Sequence, residues 1–234
     1  MTSDQDFRVL LVEDDQALGA MMRDYLMDEG FEVMIETRGD TAVNRILREA
    51  ADAVILDVNL PGLDGISVCR TVRRSYSGPI LILTARGDDL DEIVGLEVGA
   101  DDYMRKPIKP RMLLARLRAH LRQSTVIGEQ NSPAQISVGG LTIDSRQRSF
   151  QLDGQPISLT TAEFDLMWLL ASNVGQVLSR DHIYQTLNGF KYDGLDRSID
   201  LRVSRLRKRI GDDPTNPQRI KSIRGVGYLL VSDS

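Results

Sequence analysis

Six side chains of three chemical types fall at regular places in this 234-residue chain. Asp57 closes the apolar run "AVILD", where a charge is costly to bury. Glu13, Asp14 and Asp15 follow "FRVLLV", Thr84 closes "PILILT", and Lys106 follows "DYMR". Carboxylates crowded into one crevice repel each other, and a divalent cation relieves the repulsion. Mg²⁺ prefers oxygen ligands and keeps waters that a phosphate oxygen can replace. A carboxylate can also attack phosphorus and form an aspartyl phosphate. Phosphoryl transfer needs mainly positioning and charge neutralisation. A cation and Lys106 would supply the charge, and the Thr84 hydroxyl would donate to a phosphoryl oxygen. The bland alternative is that each is a turn residue or a helix cap. Four matches in order, each at a strand end, outweigh it.

The elements that must position these groups alternate. Apolar runs at 7–12, 31–36, 53–57, 79–84 and 102–105 read as strands. Helical patterns cover 16–30, 40–51 (with Asp40 as N-cap), about 64–75, about 88–98 and 110–122. Such alternation predicts a parallel sheet covered on both faces. Chemistry in that fold collects at the carboxyl ends of the strands. If the first strand lies beside the third, these groups converge.

With these motifs on the page, residues 1–122 resemble a response-regulator receiver domain, through "LVEDD", "VILDVNLPG", "ILTA", "GADDY" and "KP". The resemblance implies a flavodoxin-like five-stranded sheet of order 2-1-3-4-5, Asp57 as phosphoacceptor, and Glu13 and Asp14 as the acidic metal pair. The backbone of Asn59 would complete a Mg²⁺ site (or one for another divalent cation). Thr84 and Tyr103 would be the switch pair, Lys106 the phosphate-binding lysine, and Lys106–Pro107 a cis peptide. Ile108 stands where the family usually has Phe. A haloacid-dehalogenase-type phosphatase is the runner-up, but it needs a second Asp two residues after the nucleophile, and that position is Asn59.

Residues 123–135, "QSTVIGEQNSPAQ", read as a polar linker. The remainder, 136–234, opens with short strands and turn signals, continues with "TTAEFDLMWLLASN" (Thr160 and Glu163 in capping-box spacing), and ends in a hairpin over 219–231. In "DRSIDLRVSRLRKRIGD" (196–212), Ile199, Val203, Leu206 and Ile210 form one buried stripe at helical spacing. The opposite face presents Arg197, Leu201, Ser204, Arg205 and Lys208, flanked by Arg202, Arg209 and Arg207. A basic face of this kind fits a DNA major groove. A solvated helix, or one suited to calmodulin or a membrane surface, is the alternative.

This half resembles the winged-helix effector domain of the OmpR/PhoB family, through "LTTAEFDLMWLL", "GQVLSRDHIY", "DRSIDLRVSRLRKRI" and "RIKSIRGVGYLL"; "YDGLDRSIDLRVSRLRK" is similar to the RstA branch. The resemblance implies that 196–210 is the recognition helix. Arg205 would read bases with Leu201, while Arg197, Arg202 and Arg207 would hold phosphates. Ser204 stands where relatives carry a basic residue. Arg224 would be the wing residue entering the minor groove, and 188–194 the place where the family contacts RNA polymerase.

The two halves together imply a two-component response regulator: a cognate histidine kinase phosphorylates Asp57, the chain dimerises, and the dimer binds promoter DNA. The receiver would catalyse its own phosphoryl transfer and dephosphorylation without being an enzyme on other substrates. The dimer would form through the 88–98 helix, the 102–105 strand and the 110–122 helix, pairing Asp102 with Arg116, Glu97 with Arg118 and Asp101 with Arg122. One family pair is missing, its positions being Glu92 and Met112. A regulator that binds DNA without phosphorylation is the competing class.

Bulk properties agree. Residues 1–123 hold 16 Lys+Arg against 22 Asp+Glu, and 124–234 hold 13 against 12, so the halves suit different partners. No apolar run approaches a bilayer span, and the acidic N-terminus lacks the basic flank of a signal peptide. Cys69 is the only cysteine, which rules out an internal disulfide and fits a reducing cytoplasm. Cys69, His120 and His182 read as packing or surface residues rather than zinc ligands.

Overall fold

The computed structural model describes residues 7–85, 98–126, 134–189 and 198–232, with the side chains of 122–126 left aside. The predicted helix over 88–98 lies outside the described residues. The chain divides into two compact units, Met1–Leu121 and Arg122–Ser234.

In the first unit, β1 (Arg8–Val12), β2 (Glu32–Glu36), β3 (Ala53–Asp57), β4 (Ile80–Thr84) and β5 (Asp102–Arg105) pair in parallel in the order β2-β1-β3-β4-β5. The order puts β1 directly beside β3, with Val12 opposite Leu56, as the convergence of the site requires. Every residue of β3 and β4 is buried, the signature of strands covered on both faces. The helices are α1 (Gln16–Asp28), α2 (Gly39–Arg48), α3 (Gly65–Val72) and α4 (Pro110–Val126). Asp15 caps α1 by accepting from Ala17 N and Leu18 N, and Asp64 caps α3 through Ser67 N.

Two expectations are corrected. Asp40 is not the N-cap of α2: the helix starts one residue earlier, and Asp40 sits in its first turn, paired with Arg38. Gly39 causes the shift. Its N–H donates to Pro61 O, and a Cβ there would lie 1.8 Å from Leu63 O, so glycine lets the loop after Asp57 press onto the helix start. The last helix of the unit does not stop at Arg122. No Gly or Pro interrupts "QSTV", and α4 runs on to Val126, so the predicted linker begins helical.

In the second unit, β6 (Gln135–Val138), β7 (Leu141–Asp144), β8 (Ser149–Leu152) and β9 (Gln155–Pro156) form an antiparallel sheet. Three helices follow: α5 (Thr161–Ser172), α6 (Arg180–Asn188) and α7 (Ser198–Arg209). The hairpin β11 (Ile220–Ile223) and β12 (Gly227–Leu230) joins β10 (Leu178–Ser179) in the order β10-β12-β11. Thr160 and Glu163 form the expected capping box. Ile199, Val203, Leu206 and Ile210 are all buried and share a core with Phe164, Leu166, Leu170 and Ile183.

Candidate functional site

At the carboxyl ends of β1 and β3, ligand oxygens of Glu13, Asp14 and Asp57 lie within 4.8 Å of one another; Glu13 and Asp57 are buried and Asp14 is exposed. Lys106 bridges the buried pair. Its Nζ donates to Glu13 Oε2 at 2.8 Å, to Glu13 Oε1 at 3.0 Å and to Asp57 Oδ2 at 3.0 Å. Asp57 Oδ1 is buried with no hydrogen-bond partner among the described residues. A buried acceptor left open costs free energy unless something fills it. Three convergent carboxylates with one open oxygen suit a hard, oxygen-seeking divalent cation, so the residues fit the implied metal.

The electrostatics follow from burial. Desolvation is the largest influence on Glu13 and raises its pKa; Lys106 opposes this and Asp57 adds to it. Desolvation also pushes the Lys106 ammonium down, but Glu13 and Asp57 together more than reverse it and hold the pKa above the ordinary lysine value. Lys106 therefore keeps its charge where the chemistry needs it.

Neighbouring elements fix these groups. Thr84 is fully buried at the end of β4, and its carbonyl accepts from Lys106 N, which ties β5's exit to β4. Tyr103 is buried on β5, in register with Ile82, and the Lys106–Pro107 peptide is cis, as the resemblance implies. Asn59 is exposed on the loop after β3. Sequence reasoning passed over Gly65, where a Cβ would lie 2.0 Å from Asp57 O. Glycine here lets α3 begin directly behind the acidic strand end. "PGLDG" carried that signal but read only as a turn.

The basic helix divides its arginines more sharply than its spacing suggested. Arg202 is fully buried and Arg207 is nearly so, which contradicts their assignment to exposed phosphate contacts. Arg207 donates through Nε and Nη2 to Ile220 O and through Nη2 to Ser222 Oγ. Arg205 is mostly covered: its Nε lies 3.5 Å from the buried Glu163 of α5, whose other oxygen pairs with Arg209 at 3.0 Å. Leu201 and Ser204 are half-buried, while Lys208 and Arg224, at the hairpin tip, are exposed. Arg197 and most of 188–194 lie outside the described residues.

Comparison with known proteins follows the same division. The family model "Response regulator receiver domain" matches residues 9–118, and "Transcriptional regulatory protein, C terminal" matches 154–230. The chain is 44% identical over 231 residues to the transcriptional regulatory protein RstA of Escherichia coli K12, covering 95% of this chain and 97% of that one. The chain belongs to the OmpR/PhoB family of response regulators. The response regulator DrrB, a Thermotoga maritima OmpR/PhoB homologue, is 32% identical, with 97% and 99% of the two chains covered and a TM-score of 0.51. A RitR mutant superposes with a TM-score of 0.75 at 25% identity, covering 97% of this chain and 100% of that one. The family assignment makes the first unit a receiver, matched over 9–118, and the second a winged-helix DNA-binding domain, matched over 154–230.

For an OmpR/PhoB regulator the charged residues of β5 and α4 are the expected dimer contacts, and several are engaged within the chain. Asp101 is fully buried: Arg73 Nη2 donates to its Oδ2, as does Ile80 N at 2.9 Å. It is therefore not placed to meet Arg122 of another copy. Asp102 accepts from Arg116 of its own chain and lies 3.4 Å from His120 Nε2. Arg118 pairs with Glu29 at the end of α1 rather than facing outward alone. Glu97, Glu92 and the side chain of Arg122 lie outside the described residues, and Met112 is exposed. No helix among the described residues is long and apolar enough to cross a membrane.

Proposed function

We propose that this response regulator is switched by phosphorylation of Asp57 and acts, in the cytoplasm, as a dimeric promoter-binding transcription factor. The observation that carries the reading is the buried Asp57 carboxylate, one oxygen held by Lys106 and the other open, beside Glu13 and Asp14. The donor is the phosphohistidine of a cognate sensor kinase. An Asp57 oxygen attacks phosphorus, the P–N bond breaks, and its electron pair returns to the imidazole, which takes up a proton. Glu13, Asp14, Asp57 and the Asn59 carbonyl would hold Mg²⁺ or another divalent cation, which would supply positive charge against the phosphoryl oxygens. Lys106 keeps its ammonium beside the new phosphoryl group, and the Thr84 hydroxyl donates to it. Hydrolysis in the same pocket returns the carboxylate, so the chain turns over its own phosphate and no separate substrate.

The added charge, roughly two negative units, draws Thr84 and fixes Tyr103 inward. That change favours a homodimer over the face that carries Asp102 and Arg116. Two effector domains then occupy neighbouring half-sites on double-stranded promoter DNA, and linked binding raises affinity without new base contacts. Leu201, Ser204 and Lys208 meet the major groove and Arg224 the minor groove, with Arg205 reaching bases from its seat on Glu163 and Arg197 holding a phosphate. RNA polymerase is the further partner, met at 188–194.

Selection from a random duplex pool, with and without acetyl phosphate and Mg²⁺, tests this reading. The wild-type chain enriches a direct repeat and does so markedly better with donor, whereas Asp57→Asn shows no donor effect. Enrichment indifferent to donor refutes the phospho-switch. A chain that enriches nothing refutes the DNA reading.

A further inference from the structure

One of the three arginines expected to hold phosphates is engaged elsewhere, and its partners lie on the hairpin. Arg207, near the end of α7, grips β11 at Ile220 O (Nε at 2.9 Å) and at Ser222 Oγ (3.0 Å). A bidentate guanidinium fixes orientation as well as distance. The turn beyond α7 reinforces it. Asp212 N donates to Arg207 O, and the buried Asp212 carboxylate accepts from the backbone N–H groups of Gln218 (2.7 Å), Arg219 (3.2 Å) and Ile220 (2.9 Å). About two helical turns earlier, or roughly 10 Å along the axis, Asp200 holds the other strand. Its Oδ1 accepts from Tyr228 Oη on β12 and from Arg180 Nε at 2.9 Å. Arg180 also donates to Tyr228 Oη at 3.1 Å and stacks 4.8 Å from the ring centre.

Ser222 and Tyr228 are direct cross-strand partners. The two grips thus meet the hairpin at one rung from two separated points on α7, which leaves it no axis to rock about. Arg224 lies two residues beyond that rung, at the free tip. We infer that Arg207, Asp212, Asp200 and Tyr228 are positioning residues that lock the wing to the recognition helix, so that the major-groove face and Arg224 meet DNA as one rigid unit. The inference rests on the proposed DNA reading and adds to it: Arg207 acts through Arg224 rather than on a phosphate.

The test uses the full chain and a fluorescent duplex carrying the sequence enriched from the random pool. Dissociation constants are measured by anisotropy for Arg224→Ala in three backgrounds: wild type, Arg207→Lys and Tyr228→Phe. Arg207→Lys keeps the charge and loses the bidentate geometry. Tyr228→Phe removes one hydroxyl, and so carries the test if the lysine variant does not fold, which Trp168 fluorescence reports. Expected losses are about tenfold for Arg224→Ala in the wild type, as for one good contact, and under about twofold in either clamp background. Equal losses in all three backgrounds overturn the inference, because the wing then reads DNA without the clamp. A wild-type chain unaffected by Arg224→Ala overturns it too. If the wild-type chain enriches no duplex, the DNA reading itself fails, an outcome distinct from both.

Discussion

Asp101→Ala should destabilise the receiver unit itself, not merely weaken a dimer. The carboxylate is fully buried and pairs with an Arg73 side chain that is 6% exposed. Three carbonyls, of Gly99, Tyr76 and Gly78, also accept from that guanidinium, and Ile80 N donates to the same carboxylate. Removing Asp101 leaves a buried cation without its counter-charge and orphans the Ile80 N–H at the start of β4. Breaking one side of a buried pair costs about 3–5 kcal/mol. For a unit of this size that is on the order of 10–20 °C in melting temperature. The assay separates the units because Trp168, the single tryptophan, lies in the second. Urea unfolding followed by far-UV circular dichroism sees both, and tryptophan fluorescence sees the effector alone. Asp101→Ala should shift the first and leave the second in place. In a double-mutant cycle, Arg73→Ala with Asp101→Ala should cost less than the two singles added, since neither partner is left buried alone. An unchanged receiver midpoint, with only dimerisation weakened, would refute the argument and restore Asp101 to the dimer surface.

Other substitutions probe other parts. Glu163→Gln removes the buried charge shared by Arg205 and Arg209 and weakens the capping box, so it should cost about 3–5 kcal/mol, read from the Trp168 urea midpoint; a shift below about 0.5 kcal/mol, the size of an ordinary surface change, counts against it. Gly39→Ala drives a Cβ into Leu63 O and should both destabilise the receiver and weaken Mn²⁺ binding, measured by electron paramagnetic resonance, because the displaced loop carries Asn59; unchanged binding would separate that loop from the metal site. Burial first, and the bond to Asp200 second, push the Tyr228 pKa up from the ordinary 10.0. A raised folded pKa means the stabilisation is complete below about pH 10 and is lost as pH rises through the folded value. Burial pushes the Tyr76 phenol up as well, so absorbance titration of Tyr228→Phe should lack one of the late tyrosinates while that of Tyr76 remains, and loss of an early one instead would contradict the placement.

The receiver was legible because its signals are redundant. Apolar runs closing on polar residues mark the strand ends, and strand ends are where a doubly wound sheet assembles its chemistry, so Glu13, Asp57, Thr84 and Lys106 could be placed before any geometry was known. Asp101 and Asp102 were not separable that way, since adjacent aspartates at a strand entrance give no sign of which one turns toward a buried arginine 28 residues earlier. Gly39 and Gly65 were silent for a related reason: a missing Cβ matters only where another backbone comes close. On α7 the stripe Ile199–Val203–Leu206–Ile210 was read correctly, but periodicity reports one buried face. This helix packs on α5 and also bears the hairpin, which widens its covered arc to take in Arg202 and Arg207. Long basic side chains conceal such burial, because charge suggests solvent.

That widened arc sorts α7 into positions the scaffold owns and positions it does not. Arg202, Arg205 and Arg207 cannot be exchanged without disturbing the core, Glu163 or the hairpin. Leu201, Ser204 and Lys208, together with Arg224, hold up little else. On the proposed DNA reading, these positions are free to drift over evolutionary time while the frame beneath, Arg205 included, stays constant, and a gene duplicate would acquire a new set of promoters through these few codons.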